Sequence, residues 1–253
     1  MSVVIKIGGS VLQDSLTISN LTQQLKKIES ILPRYVLLHG GGPAIAGELS
    51  KLGLDFEFVN GVRRTTEAMM PAVEKALWDV VNAQLSRAFD VAGISHKRLC
   101  GFKDKILLSR IYDESLGLVG EVTECRFERE DLQRPVLLSP MGVDEKGAPL
   151  NVNADFAAQE VAVALKAKTL IFLSDQKGVL NLQGDLFSKI DSQLARDLID
   201  QGVISGGMRA KVEQICVALS SGVGEVVLLD GRSPDALIEY FEESKLQGTK
   251  FVN

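Results

Sequence analysis

Val3-Val4-Ile5-Lys6-Ile7-Gly8-Gly9-Ser10 is an apolar run broken by one lysine and closed by paired glycines. Its length and apolar content fit a short strand buried on both faces, as in a parallel sheet. A lysine there is anomalous, because desolvating an unpaired ammonium costs several kcal/mol or more. Glycines at a strand end let the backbone approach a ligand and present its N–H groups to an anion. Lys6 beside that turn therefore suggests a phosphate site, with a strand-end turn and a snorkelling lysine as the blander alternative.

Outward from this strand, short apolar runs alternate with helical patterns. Residues 35–38, 135–139, 169–173 and 226–229 read as further buried strands. Residues 16–32, 44–52, 66–92, 155–166, 192–201, 207–220 and 234–242 carry helical spacing. Such alternation implies an α/β fold, with helices covering both faces of a largely parallel sheet. Between Ile94 and Phe127 the texture shifts to shorter β-like stretches punctuated by glycine and charge, which predicts antiparallel hairpins appended to the main sheet. No spacer divides the chain, although a new strand opening near Thr169 makes a lobe boundary there plausible.

At 253 residues the chain suits one large domain or two intimate lobes. A net charge of −5, from 28 Lys+Arg against 33 Asp+Glu, argues against a nucleic-acid binder relying on a basic surface. Three scattered cysteines and two histidines, without C-x-x-C spacing, make a structural zinc site improbable and suit reduced thiols. No 18-residue apolar run or signal-type N-terminus is present, so the expectation is a soluble, cytoplasmic protein.

A second glycine cluster, His39-Gly40-Gly41-Gly42-Pro43, follows the second strand directly. Proline suits a first helical position, so strand, glycines and helix together aim free N–H groups and the helix dipole at an anion. Neither cluster is a P-loop or a dinucleotide fingerprint. Arg63, in Asn60-Gly61-Val62-Arg63-Arg64-Thr65, suits bidentate capture of a carboxylate, although a capped helix with solvated arginines explains the segment equally. Asn151-Val152-Asn153-Ala154-Asp155 holds more polar function than a helix cap requires, and its asparagines share one side if extended. Asp175-Gln176-Lys177-Gly178-Val179-Leu180 follows another strand end, where ligands collect in open α/β sheets. In the helix after Ser205-Gly206-Gly207, Lys211 falls beside the apolar stripe of Met208, Val212, Ile215, Cys216 and Leu219, so it either snorkels or points into a cleft.

Taken in order, Lys-x-Gly-Gly, His-Gly-Gly-Gly-Pro, Asn-Gly-x-Arg-x-Thr, Asn-x-Asn-Ala-Asp, Ser-Asp-x-x-Gly-x-Leu and Gly-Gly-Met-x-x-Lys resemble the amino-acid kinase family. The Asn60–Arg63 and Asn151–Asp155 motifs point to the branch acting on N-acetyl-L-glutamate in arginine biosynthesis. The resemblance runs from Val3 to Gly248-Thr249 and implies a three-layer αβα sandwich. Residues 1–167 would bind the amino acid and dimerise; residues 168–253 would bind the nucleotide.

It further implies ATP-dependent phosphorylation of a carboxylate, with Mg²⁺ carried mainly by the ATP phosphates. By the same resemblance Lys6 and Lys211 neutralise the transition state, Asp155 orients them, and Gly9 and Gly41 donate backbone N–H bonds. Gly8, Gly40 and Gly42 shape the loops. Gly41, Gly42, Arg63, Asn151 and Asn153 contact the amino acid. Lys6, Gly8, Gly9, Lys211, the Asp175-to-Leu180 segment and Val203, Ile204 and Ser205 contact the nucleotide.

Gln176, a missing glycine after Lys103-Asp104, Met69-Met70-Pro71 and Trp78 depart from the family pattern. They leave open a kinase for a related N-blocked acidic amino acid, such as N-acetyl-aminoadipate, or a non-catalytic ligand-sensing homologue. Arginine-inhibited relatives carry an extra N-terminal helix that forms a hexameric ring. With the first strand at Val3, the expectation is instead a homodimer across the sheet edge and the 66–92 helix, insensitive to arginine.

Overall fold

A computed structural model describes residues 3–59, 61–242 and 245–253. Its centre is an eight-stranded sheet in the order Lys189–Asp191, Gly248–Val252, Glu225–Asp230, Thr169–Ser174, Val3–Ile7, Val36–His39, Val136–Ser139, Lys97–Cys100. Neighbours run parallel except Gly248–Val252, which is antiparallel to Glu225–Asp230. The first strand is fully flanked, by Thr169–Ser174 on one side and Val36–His39 on the other.

Side chains alternate across the strands, and the two faces fill separate cores. Val3, Ile5 and Ile7 pack with Ile18, Leu21 and Leu25 of the Ser15–Lys27 helix, and with Leu85 and Phe89. Val4, Leu38 and Phe172 face the other way, onto Ala157, Ala158 and Val161 of the Ala154–Ala164 helix and Ile215 and Leu219 of the Gly206–Ser220 helix. The result is the expected αβα sandwich. The alternation also puts Lys6 on the same face as the Ala154–Ala164 helix.

Two expectations need correction. The segment after Ile94 does not hang on the main sheet as hairpins. Lys97–Cys100 is itself the sheet's parallel edge strand, paired with Val136–Ser139. The Leu107–Ile111 and Val119–Cys125 hairpin instead closes with Met141–Val143 and Pro149–Val152 into a small separate barrel. Lys-Arg-Leu-Cys has only two apolar residues, because an edge strand pairs on one side only, and so it escapes a search for apolar runs.

Nor is the 66–92 helix continuous. A 3₁₀ turn at Glu67–Met69 leads into an α segment at Met70–Glu74, a π-helical stretch at Lys75–Asn82 and an α segment at Ala83–Val91. Pro71 has no N–H for an i→i−4 bond, so it sits in the first turn of the α segment that follows the 3₁₀ turn. The wider π turn shifts the facing of side chains between Leu77 and Asn82, both buried, so that Leu77 lies against Gly41 and Asn82 against His39, as described below.

Candidate active site

Three charged side chains from three elements meet beside the first strand. Lys6 Nζ lies 2.6 Å from Asp155 Oδ1, and Lys211 Nζ lies 3.6 Å from Asp155 Oδ2. Asp155 is the second residue of its helix, held there by the Asn153 side chain, whose Oδ1 accepts from the Asp155 N–H at 2.8 Å. Asn153, not Asp155, is thus the N-cap. Lys211 enters from the Gly206–Ser220 helix, its ammonium 5.5 Å from the Phe172 ring centroid. Phe172 is the register partner of Lys6 on the adjoining strand, so Lys211 turns toward Lys6 and Asp155 rather than out to solvent.

Burial works to raise the Asp155 carboxyl, but the two lysines outweigh it and hold the group below the usual carboxylate range. Two ammonium groups around one carboxylate leave one uncompensated positive charge. A buried ion cluster of this kind is poor stabilisation on its own, because desolvation offsets the attraction. As a preorganised receptor for an anion it is well placed.

The glycine clusters supply N–H groups to the same spot. Gly8 N bonds Leu173 O and Gly40 N bonds Ile7 O, both at 2.8 Å, which locks the two loops onto adjacent strand ends. A Cβ on Gly40 would lie 2.6 Å from Gly9 N, and one on Gly9 would lie 2.9 Å from Gly41 N. Only glycine permits this backbone-to-backbone approach. Gly41 is the N-cap of the Gly42–Lys51 helix, with Pro43 in its first turn, so the positive end of that helix opens here. A Cβ on Gly42 would meet nothing within 4 Å, leaving open space beside it.

That space is a cavity of about 250 Å³ whose walls include Lys6, Gly9, Gly40, Gly41, Gly42, Arg63, Asn151, Asn153 and Asp155. Arg63 marks its far end. The side chain is buried, with its guanidinium carbon 3.9 Å from the Phe56 ring centroid and 4.6 Å from that of Phe58. Its Nη2 donates to Gly42 O at 3.1 Å, while the buried Nη1 has no partner. An unpaired guanidinium N–H in a cavity wall is chemically suited to pair with a carboxylate. Asn151 Nδ2 donates to Thr65 Oγ1 at 2.8 Å, and Thr65 Oγ1 in turn donates to Arg63 O at 3.0 Å. Asn60 lies outside the described residues. Thr65, expected as a possible helix cap, instead bridges Asn151 and Arg63, while Phe56 and Phe58 escaped notice in the sequence; an aromatic pair just before the arginine was the available signal.

Of the expected nucleotide segments, Asp175 to Leu180 follows the Thr169–Ser174 strand and Val203 to Ser205 joins the Ser192–Asp200 and Gly206–Ser220 helices; neither lines that cavity. Asp175, Gln176 and Lys177 are exposed, and Leu180 is also exposed. Gly178 adopts φ +141°, a glycine conformation, and Val179 N donates to the buried Thr249 Oγ1 at 2.9 Å. Thr249 on the last sheet strand thus pins this loop. Val179 and Ile204 are core side chains and offer a ligand only backbone, while half-buried Val203 and the N-cap residue Ser205 precede the Lys211 helix.

No helix among the described residues is long and apolar enough to cross a membrane. Among them no group of three or more His, Cys, Asp and Glu side chains converges as a metal cage.

Comparison with known proteins agrees with the fold. Residues 1–230 match the family described as the Amino acid kinase family. A protein of Roseobacter denitrificans named Acetylglutamate kinase is 35% identical over 247 residues, 96% of this chain and 86% of its own. One of the same name from Nostoc sp. is 37% identical over 246 residues, 94% of this chain and 82% of its own. The crystal structure of smu.665 from Streptococcus mutans superposes with a TM-score of 0.80 at 31% identity, covering 99% of this chain and 98% of that one. An N-acetylglutamate synthase from Neisseria gonorrhoeae shares the fold, with a TM-score of 0.86 at 21% identity over 59% of its length.

Proposed function

The chain belongs to the amino acid kinase family, and we propose that it transfers the γ-phosphoryl group of ATP to the side-chain carboxylate of N-acetyl-L-glutamate, as a step of arginine biosynthesis. One observation carries this reading: a single cleft holds a Lys6–Asp155–Lys211 cluster at one end and a buried, half-unpaired Arg63 at the other. The name borne by relatives at 35% and 37% identity supports the choice of acceptor.

The acceptor is ionised at neutral pH, so no general base is needed. A carboxylate oxygen attacks the γ-phosphorus, the bond to the β,γ-bridging oxygen breaks, and ADP leaves with that electron pair. The obstacle is charge: two anions must meet, and the transferring oxygens stay negative throughout. Lys6 from the first strand and Lys211 from the Gly206–Ser220 helix on the same sheet face meet that charge together, and Asp155 fixes where their ammonium groups stand. The N–H groups of Gly9 and Gly41 donate to the migrating phosphoryl oxygens. Arg63 Nη1, backed by Asn151 and Asn153, binds the α-carboxylate and so orients the other one. Phe56 and Phe58 hold the guanidinium flat and dry.

With Asp155 committed to two lysines and no carboxylate cage beside it, the cleft suits a Mg²⁺ ion that arrives on the nucleotide phosphates. When bound, that ion would neutralise phosphate charge. In this reading residues 1–167 form the amino-acid lobe and residues 168–253 the nucleotide lobe, where the Asp175-to-Leu180 loop and Val203, Ile204 and Ser205 border ATP. The protein acts in the cytoplasm as a homodimer across the Lys97–Cys100 edge, which has a sheet neighbour on one side only.

Trapping the acyl phosphate with hydroxylamine across a panel of N-acylated acidic amino acids tests the proposal. N-acetyl-L-glutamate should give the highest kcat/KM. Preference for N-acetyl-aminoadipate would reassign the acceptor, and failure to consume ATP with any member would remove the catalytic reading.

A further inference from the structure

His39 is wholly buried one residue before the glycines that line the cleft, and the reaction above does not use it. Its ring nitrogens are nevertheless both engaged. Nδ1 lies 3.3 Å from Gly40 O, and Nε2 lies 3.1 Å from Asn82 Nδ2. Asn82 is also wholly buried, at the end of the π-helical stretch, and its Oδ1 accepts from Arg98 Nε at 2.8 Å. Arg98 belongs to the sheet's edge strand, bonds Trp78 O at 3.1 Å and stacks on the Trp78 ring.

The proton positions along this chain follow from which groups can donate. Arginine has donors only, so the Asn82 atom facing Arg98 is its oxygen. The Asn82 amide nitrogen then faces His39 and the Leu137 carbonyl. A nitrogen that receives an N–H is bare, so His39 Nε2 is the acceptor and Nδ1 carries the proton. A carbonyl can only accept, and Nδ1–H therefore donates to Gly40 O. Burial, with Arg98 and Lys6 nearby, lowers the His39 pKa to about 4 and keeps the ring neutral, as this arrangement requires.

Gly40 O and Gly41 N belong to one planar, trans peptide unit, in which C=O and N–H point in opposite directions. Whatever fixes the carbonyl aims the amide. From this geometry we infer that His39 is a positioning residue for phosphoryl transfer: held by Asn82 and Arg98, it fixes the Gly40–Gly41 peptide so that the Gly41 N–H faces the transferring group. Donation to Gly40 O also polarises the peptide and strengthens its N–H as a donor. The Leu77 side chain, from the same π-helical stretch, closes the other side, since a Cβ on Gly41 would fall 2.4 Å from Leu77 Cδ2. This inference rests on the phosphoryl-site reading given above.

Two isosteric replacements separate positioning from space filling. His39→Asn puts an amide nitrogen near Nδ1; His39→Gln puts its amide near Nε2 and leaves nothing at Nδ1. Positioning predicts that His39→Gln lowers kcat about ten- to thirtyfold, with both KM values within about twofold. His39→Asn should stay within about threefold of wild type. A merely structural histidine predicts the reverse order, because asparagine leaves the larger void. Equal losses, the reverse order, or losses confined to KM would overturn the inference.

A second readout does not depend on the acceptor: the amide proton shift of ¹⁵N-labelled Gly41 on addition of MgADP with tetrafluoroaluminate, a phosphoryl mimic. A downfield shift in wild type and His39→Asn, lost in His39→Gln, supports positioning even if N-acetyl-L-glutamate proves to be the wrong acceptor. No shift in wild type, or the same shift in all three proteins, overturns it. If His39→Gln does not fold, Arg98→Leu probes the far end of the chain, since it removes the donor that fixes Asn82 Oδ1 and leaves the amide that orients His39 anchored only by Leu137 O. It too should lower kcat and the Gly41 shift, and unchanged values would overturn the inference.

Discussion

The two ends of the cleft are built from different material. At the phosphoryl end, Lys6 and both glycine loops sit on adjacent strands of the eight-stranded sheet, each loop bonded to the strand beside it. At the recognition end, Arg63 lies on a two-residue strand paired only with Phe58–Val59, and Asn151 on the rim of the small barrel. In the proposed reaction, the groups that would meet the transition state stand on the fully flanked centre of the sheet, with Lys211 added from a helix packed against it. Those that would bind a carboxylate equally before and during transfer stand on a short hairpin and a barrel rim.

If that division is right, mutations at the two ends should fail differently. The largest effects belong to Lys6→Ala and Lys211→Ala. Each removes charge that acts on the transition state, so kcat should fall about 10²–10³-fold with little change in KM. Near-normal turnover in steady-state assays of either variant would break the comparison at its stronger end.

The next effect is on stability. His39, under the glycine loop, titrates far below its unfolded value, down to about 4. The unfolded chain therefore takes up a proton near pH 6.5 that the folded protein refuses. Stability should fall as pH drops from 6.5 toward 4, by about 3 kcal/mol in all from this group. Denaturant unfolding at several pH values should show this slope in wild type and a shallower one in His39→Asn. Equal slopes would mean that the ring is not held neutral.

At the recognition end, Arg63→Ala should raise KM for the amino acid about 10- to 100-fold and leave KM for ATP unchanged, because the contact is made in ground and transition state alike. Loss of ATP affinity instead would move Arg63 to the nucleotide side.

The smallest effect lies at Lys105, where glycine was expected from the family pattern. The structure explains the expectation, since Lys105 adopts φ +53°. Lys105→Gly should relieve about 0.5–1 kcal/mol of left-handed strain, net of the added chain entropy. A melting-temperature rise of a few degrees, with kinetics unchanged, is the expected result.

What could be read from sequence divides along the same line. The first strand was legible to the residue, because a fully flanked strand leaves an unbroken apolar run and its lysine stands out. The glycine clusters stood out by position, with a tight turn as the alternative, and the close approach of Gly40 to Gly9 shows why no side chain fits there. Lys211 was ambiguous by periodicity and resolved only by where Phe172 and Asp155 stand around it. The edge strand Lys97–Cys100 was hidden by its half-polar composition, and the break at Pro71 by the helical spacing that continues through it. The Arg98–Asn82–His39 chain joins residues far apart in sequence through a π turn that no local pattern announces.

The account's central claim is that the two ends act independently on one bound acceptor. A double-mutant cycle in kcat/KM with Lys211→Ala and Arg63→Ala tests it most directly. Independent ends predict that the two losses multiply, leaving a coupling energy within about 0.5 kcal/mol of zero. A coupling above about 1 kcal/mol, with the double variant little worse than Lys211→Ala alone, would mean that both residues serve one step and that the division between the two ends is wrong.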